Sequence, residues 1–236
     1  MLDAAAQDSQ DGTAGDGGAG LTTALAGIAA GVPHLREPAI DRVEAGVDFG
    51  VLTALSALAH LEIAATRRAT PRHAAPARRA TRRHVLATLP ALRGGPLKSL
   101  HIAGRISDLD LSAVAALSQL LCLRIDAAGG VDDQAISDAG FAALRGGLPK
   151  LRKLWVDLPL QENVTRVTNA SLAAIGALPA LRRLTLSLGA LPAVTAAGIE
   201  RMRQLPALVR LQRGGMDYSR IAVDRLFLPW APSPPL

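Results

Sequence analysis

Leucine and other aliphatic residues recur along this chain in the pattern L-x-x-L-x-x-L-x-(L/I/V). The pattern occurs six times, with anchors at Leu55-Leu58-Leu61-Ile63, Gly94-Leu97-Leu100-Ile102, Leu117-Leu120-Leu123-Ile125, Leu148-Leu151-Leu154-Val156, Leu178-Leu181-Leu184-Leu186 and Leu205-Leu208-Leu211-Arg213. Only Gly94 and Arg213 break it. Because successive side chains of a strand point to opposite faces, the L-x-(L/I/V) end of each copy predicts a short strand with one buried face.

A second pattern, (I/V)-(S/T)-x-x-x-(L/F/I)-x-x-(V/L/I/M), lies between copies of the first. It spans 106–114, 136–144, 167–175 and 194–202. The Ser or Thr is a favourable helix N-cap, and apolar residues three positions apart share one helix face. Each unit is therefore predicted to run strand, variable loop, helix and turn.

Units of this kind resemble leucine-rich repeats, and are most similar to the helix-containing repeats of ribonuclease-inhibitor-like and GALA-like proteins. The segments ISDAGFAAL (136–144) and LPALRRLTL (178–186) carry the resemblance best. It covers 97–213 well and 51–63 less well. The resemblance implies an α/β fold, namely a right-handed leucine-rich-repeat solenoid with a parallel concave sheet and outer helices, in which neighbouring units bury each other's leucines.

Composition divides the chain into segments. Residues 1–20 contain acidic but no basic side chains among small and polar residues, and are predicted to be disordered. Residues 21–50 are expected to form a helical or irregular N-terminal lead-in or cap, 51–228 the repeat domain, and 229–236 a Pro-rich tail. The N-terminus lacks the positive start of a signal peptide, so we expect a cytoplasmic protein, or one secreted into a host cell, that does not enter a membrane.

Residues 64–84 are rich in arginine and contain no acidic residue. The arginines are Arg67, Arg68, Arg72, Arg78, Arg79, Arg82 and Arg83. This segment accounts for much of the formal net charge of +6. It is interpreted as a solvated, flexible insertion between the first two units. The alternative is a basic patch for nucleic acid, an acidic partner or nuclear import, although no aromatic residues are interleaved for base stacking.

Residues that flank the buried anchors are predicted to point out of the concave sheet. Between the third and fourth anchors they form the column Glu62, His101, Arg124, Trp155, Thr185 and Gln212. Trp and Arg often dominate binding energy at interfaces. We therefore predict a partner-binding centre made of Trp155, Lys153, Arg183, Arg124, Asp157, Thr185 and His101. In the alternative interpretation, Trp155 only packs under the loop at 158–160.

The sequence offers little catalytic chemistry. It has no glycine-rich phosphate loop, no His spacing suited to a metal and no evident Ser/His/Asp set. Cys122 is the single cysteine, which excludes an intramolecular disulfide, and it is interpreted as a packing residue. We therefore expect no enzymatic activity, no cofactor and no metal.

Three functions stay open. The first is a monomeric, non-catalytic protein–protein interaction module that binds a protein on its concave face. The second is a bacterial secreted effector or a ubiquitin-ligase substrate-adaptor-like protein, although residues 36–55 show no convincing F-box pattern; this hypothesis is an analogy from fold. The third is nucleic-acid binding through the arginine-rich segment.

Overall fold

The structure is a computed structural model that describes residues 17–43, 47–65, 86–104, 106–127, 136–158, 166–188, 193–195, 197–198, 208–213 and 216–217. The strands are β1 (Ala39–Val43), β2 (His60–Ala65), β3 (Ser99–Gly104), β4 (Cys122–Ala127), β5 (Lys153–Leu158), β6 (Arg183–Leu188), β7 (Leu208–Arg213) and β8 (Met216–Asp217). The helices are α1 (Gly17–Gly31), α2 (Asp108–Ala115), α3 (Asp138–Gly147) and α4 (Asn169–Gly176), with 3-10 helices at Phe49–Ala54 and Leu89–Leu92.

All of these strands belong to one sheet, in which they follow each other in chain order. Strands β1 to β7 pair in parallel, and β8 pairs antiparallel with β7. Equivalent anchors face each other across the sheet: Leu123 lies opposite Leu154, and Leu154 lies opposite Leu184. The prediction of an α/β fold with a parallel sheet is therefore confirmed.

One face of the sheet is buried and the other is open. On β5 the anchors Leu154 and Val156 are buried, whereas Lys153 and Trp155 between them are exposed. The strand anchors share one hydrophobic core with apolar residues of α2–α4, such as Leu111 on α2. The helices therefore cover the anchor side of the sheet, and the side that carries Trp155 is called the open face below.

The predicted N-caps begin the three helices that follow β3, β4 and β5. Ser107, Ser137 and Thr168 each accept a hydrogen bond from a backbone N–H in the first turn of α2, α3 and α4. These hydroxyls satisfy donors that a helix start would otherwise leave without a partner. Of the fourth predicted helix, only 194–195 and 197–198 lie within the described residues.

The residue after each N-cap bonds to the start of the next helix. Asp138 Oδ1 accepts hydrogen bonds from the backbone N–H groups of Thr168 at 2.9 Å and of Ser171 at 3.1 Å. Asp108 makes the equivalent contacts to α3, and Asn169 accepts from the backbone of the segment after β6. Consecutive helices are therefore linked at their N-termini by a series of side-chain caps, which we call the cap relay.

The N-terminal lead-in adds a parallel strand, β1, that the leucine pattern does not predict. The corresponding positions hold Val32, Leu35, Pro38 and Ile40; Ile40 is buried and lies opposite the anchor Ile63 of β2, whereas Val32 is exposed. Leu35 N–H donates to the carbonyl oxygen of Val32 at 3.1 Å, a turn repeated between the first two anchors of later units. Proline at the third position conceals this strand from a search for leucines.

Helix α1 begins inside the segment that was predicted to be disordered. Residues 17–20 are helical, and the helix packs Leu25 and Ala29 into the core. The glycine-rich composition of 17–20 favoured disorder, but packing of the following apolar residues overrides local propensity. Residues 1–16 and the tail at 229–236 lie outside the described residues. Of the helices described, none combines the length and apolar character needed to cross a bilayer.

The register of β7 differs from the predicted one by two residues. Leu211 lies opposite the fourth anchor Leu186, and Thr185 lies opposite Arg210 instead of Gln212. The prediction that Leu211 and Arg213 are the third and fourth anchors is therefore wrong. Because the shift is two residues, the same alternate residues of β7 stay on the anchor side of the sheet. The observed register puts the aliphatic residues Val209 and Leu211 at the third and fourth anchor positions, whereas the predicted register put Arg213 at the fourth.

Candidate binding surface on the open face of the sheet

The structure brings the predicted partner-binding residues onto the open face of four consecutive strands. They are His101 on β3, Arg124 on β4, Lys153, Trp155 and Asp157 on β5, and Arg183 and Thr185 on β6. The register places Trp155 between Arg124 and Thr185, and Lys153 beside Arg183. The arginine-rich segment is a separate prediction, and its seven arginines lie outside the described residues.

His101 lies between two carboxylates from neighbouring strands. Its Nδ1 is 3.0 Å from Glu62 Oε1, and its Nε2 is 2.8 Å from Asp126 Oδ2. Asp126 also accepts hydrogen bonds from Arg124, with Nε and Nη2 both 2.9 Å from Oδ2. Glu62, His101, Asp126 and Arg124 thus form one network of polar side-chain contacts across β2–β4, which we call the His101 network.

Arg124 joins the His101 network to Trp155. The guanidinium carbon of Arg124 lies 4.6 Å from the centroid of the indole ring, which is the geometry of a cation–π contact. Trp155 nevertheless remains 39% exposed. Leu158 is buried, and residues 159–160 lie outside the described residues, so packing under that loop stays an untested alternative.

Lys153 on β5 and Arg183 on β6 differ from Arg124 in having no carboxylate partner among the described residues. Lys153 and Arg183 are exposed and adjacent, and no acidic residue in the described part of the chain pairs with either. Asp157, two residues beyond Trp155, is half-buried and also makes no ion pair there. This part of the open face therefore carries charge that is available to a ligand.

Sequence reasoning placed Glu62 in the column of the open face, but it included neither Glu62 nor Asp126 in the site. Glu62 and Asp126 belong to the site because they contact His101 on a neighbouring strand, and the register of the strands determines which side chains are neighbours. The signal in the sequence was the position of Glu62 and His101 in the same column, since residues at equivalent positions of neighbouring parallel strands lie side by side.

Metal-ligand geometry is not assembled in the described residues. No cluster of three or more His, Cys, Asp or Glu side chains there has an arrangement that could hold a metal ion. Cys122 is a half-buried free thiol in the row of Ser99 and Lys153. The geometry is suited to holding another molecule through aromatic packing and ion pairs.

The chain matches no protein-family model and no curated protein sequence. Function therefore has to be inferred from the residues of the chain itself. The most informative of these are the exposed indole, the arginine that stacks on it and the neighbouring unpaired cations.

Proposed function

We propose that the chain is a leucine-rich-repeat solenoid that acts as a non-catalytic protein–protein interaction module. The solenoid assignment is supported by the chain-order parallel strands, by the aligned anchors and by the cap relay that links successive helices. In such a stack each unit buries the anchors of its neighbours and leaves the other side of its strands free.

Trp155 is the observation that carries the binding proposal. A half-exposed tryptophan gives a partner a large apolar surface, and tryptophan and arginine are the residues most often found at the energetic centres of interfaces. Arg124 stacks on the ring and is itself held by Asp126. Because the indole is supported before a partner arrives, little side-chain freedom is lost on binding.

The non-catalytic part of the proposal is supported by how the titratable groups of this face are used. Both ring nitrogens of His101 contact carboxylates, and Asp126 is shared by His101 and Arg124. These groups contact one another across the strands and are not arranged as a nucleophile with an adjacent base.

Partner capture with a matched pair of variants tests the proposal. The full chain is immobilised, proteins that it retains from a lysate are identified by mass spectrometry, and the purified candidate is titrated. We expect Trp155→Ala to weaken binding by about tenfold or more. Leu109→Ala removes an apolar side chain of α2 on the helix side that is more exposed than Trp155, at 54% against 39%, and should leave binding unchanged. A partner that binds the Trp155→Ala variant as tightly as the wild type would contradict the proposal.

The identity of the captured protein decides between the narrower alternatives. A host protein would favour a secreted effector, and a ubiquitin-ligase subunit would favour an adaptor. In this proposal the protein is a monomer that acts in the cytoplasm, or in a host cell if it is an effector. Loss of binding only on deletion of residues 64–84 would instead favour the nucleic-acid hypothesis.

A further inference from the structure

Charges on the open face divide into a paired half and an unpaired half. On β2–β4 the guanidinium of Arg124 is paired with the carboxylate of Asp126, and His101 contacts both Asp126 and Glu62. On β5 and β6, Lys153 and Arg183 are exposed and have no acidic partner in the described part of the chain. Paired charges largely cancel in their effect on a distant ligand, whereas unpaired charges of one sign attract the opposite sign. Attraction of an acidic group is therefore concentrated at the end of β5 and β6 that carries Lys153 and Arg183, away from Asp157.

Two further arginines extend this unpaired charge to the edge of the sheet. Arg152 and Arg182 immediately precede β5 and β6, are exposed, and likewise lack an acidic partner among the described residues. The carbonyl oxygen of Arg152 accepts from the backbone N–H groups of Arg182 at 2.8 Å and Arg183 at 2.9 Å, which fixes the spacing of the two units. Arg152, Lys153, Arg182 and Arg183 therefore lie on backbone segments that are hydrogen-bonded to each other, and we call these four residues the basic corner.

We infer that the basic corner, together with Trp155, holds an acidic segment of the protein partner. This inference depends on the proposed function, because it specifies the chemistry of the partner at the same surface. Carboxylates of the segment pair with Lys153 and Arg183, and an adjacent apolar side chain packs on the part of the indole that Arg124 leaves exposed. Guanidinium groups favour this role because they bind carboxylates in a bidentate geometry.

The arrangement favours a peptide over a nucleic acid. Asp126 and Asp157 lie opposite each other on the same face, towards the other end of the strands. A continuous phosphate backbone that crosses the face would meet these carboxylates, whereas a peptide can place acidic residues at the basic corner and neutral or basic residues beyond it. Trp155 is also the one Phe, Trp or Tyr on the described part of the open face, so a series of bases has no stacking platform.

Fluorescence anisotropy with the full-length chain tests this inference. The probes are the labelled acidic peptide EEDLFEEDE, its basic counterpart KKRLFKKRK and a single-stranded oligo-dT. We expect Lys153→Glu/Arg183→Glu to raise the Kd of the acidic peptide by about tenfold or more, because both charges that meet its carboxylates are reversed. The matched control is Arg78→Glu/Arg79→Glu, which changes the net charge equally within the arginine-rich segment and should change this Kd by less than about twofold. Circular dichroism checks that both variants fold.

Three results would overturn the inference. The first is that the acidic peptide binds no more tightly than the basic one. The second is that both double variants weaken binding of the acidic peptide equally. The third is that oligo-dT binds more tightly than the acidic peptide and loses more affinity when the charges of Lys153 and Arg183 are reversed. Failure here is distinguishable from failure of the proposed function. Suppose that a captured partner no longer binds the Trp155→Ala variant but still binds the Lys153→Glu/Arg183→Glu variant. This result would support the proposed interaction module and contradict the inference that the partner binds through an acidic segment.

Discussion

The carboxylate of Asp138 on α3 accepts a hydrogen bond of 2.9 Å from the backbone N–H of Thr168, the N-cap of α4. It also accepts from the Thr168 hydroxyl at 2.7 Å, and from the backbone N–H and hydroxyl of Ser171. One side chain thus satisfies donors at the start of a helix in the following unit. Burial raises the pKa of Asp138, but the hydrogen bonds from Ser171 and Thr168 outweigh burial and hold the pKa below its ordinary value of 3.8.

Replacing Asp138 by alanine should lower the free energy of unfolding by about 2–3 kcal/mol, because it leaves several partly buried donors without an acceptor. Asp138→Asn should cost less, since the amide of Asn169 serves the next unit by accepting from Thr195 N–H and donating to its hydroxyl. Urea unfolding followed by circular dichroism measures both changes. Equal stability of the alanine variant and the wild type would show that the cap relay contributes nothing.

Asp138 should also make stability depend on pH. Its pKa in the folded state is lower than 3.8, so its contribution is fully present above that value and is lost as the pH falls through the folded-state pKa. Asp138→Asn has no carboxyl to titrate at this position. The stability difference between wild type and this variant should therefore be constant at neutral pH and shrink below about pH 4, as measured by urea unfolding across the acid range. A difference that grows on acidification would contradict this assignment.

Two adjacent glycines of α3 should respond to alanine in opposite directions. A Cβ at Gly147 would overlap the backbone carbonyl oxygen of Ala115, whereas a Cβ at Gly146 has no neighbour within 4 Å. Gly147→Ala should destabilise by about 1–3 kcal/mol, because backbone has to move. Gly146→Ala should stabilise by up to about 1 kcal/mol through helix propensity. Thermal unfolding of the two variants checks the prediction, and a stabilising Gly147→Ala would contradict the close packing of α3 on α2.

The emission of Trp155 should report on occupancy of the open face. Trp230 is replaced by phenylalanine so that Trp155, which is 39% exposed, is the single tryptophan. Acrylamide should quench this emission readily in the free protein, and Arg124→Ala should increase the quenching because it uncovers one side of the ring. A bound partner should shift the emission to shorter wavelength and reduce quenching. Strong protection of the free protein would indicate that the indole is already covered.

Strands and helix starts could be predicted because each is specified by neighbouring residues. Leu154 and Val156 alternate with polar positions, and Ser137 and Thr168 are favourable N-caps, so local sequence and tertiary packing agree. The sequence prediction failed where an anchor position holds a residue other than the leucine that the pattern expects. Pro38 occupies the position that a leucine holds in later copies of the pattern. In β7 the predicted register and the observed one differ by two residues, and the observed register places the aliphatic residues Val209 and Leu211 opposite Leu184 and Leu186.

The open face could be predicted from alternation, but not its internal contacts. Placing Trp155 and Arg124 on one face requires only the period of a strand and the order of the units. Knowing that Arg124 covers Trp155 while also holding Asp126 requires side-chain conformations, which depend on three strands at once. The same is true of Asp138, whose partners lie 30 and 33 positions further along the chain.

In the described part of the molecule each strand is bonded to the strands that precede and follow it in the chain. Mechanical tension applied between the two ends would therefore break the hydrogen bonds between neighbouring strands one pair of strands at a time, and not all at once. We expect the strands to separate one at a time from the ends of the sheet under force, so that the interior strands around Trp155 stay paired longest.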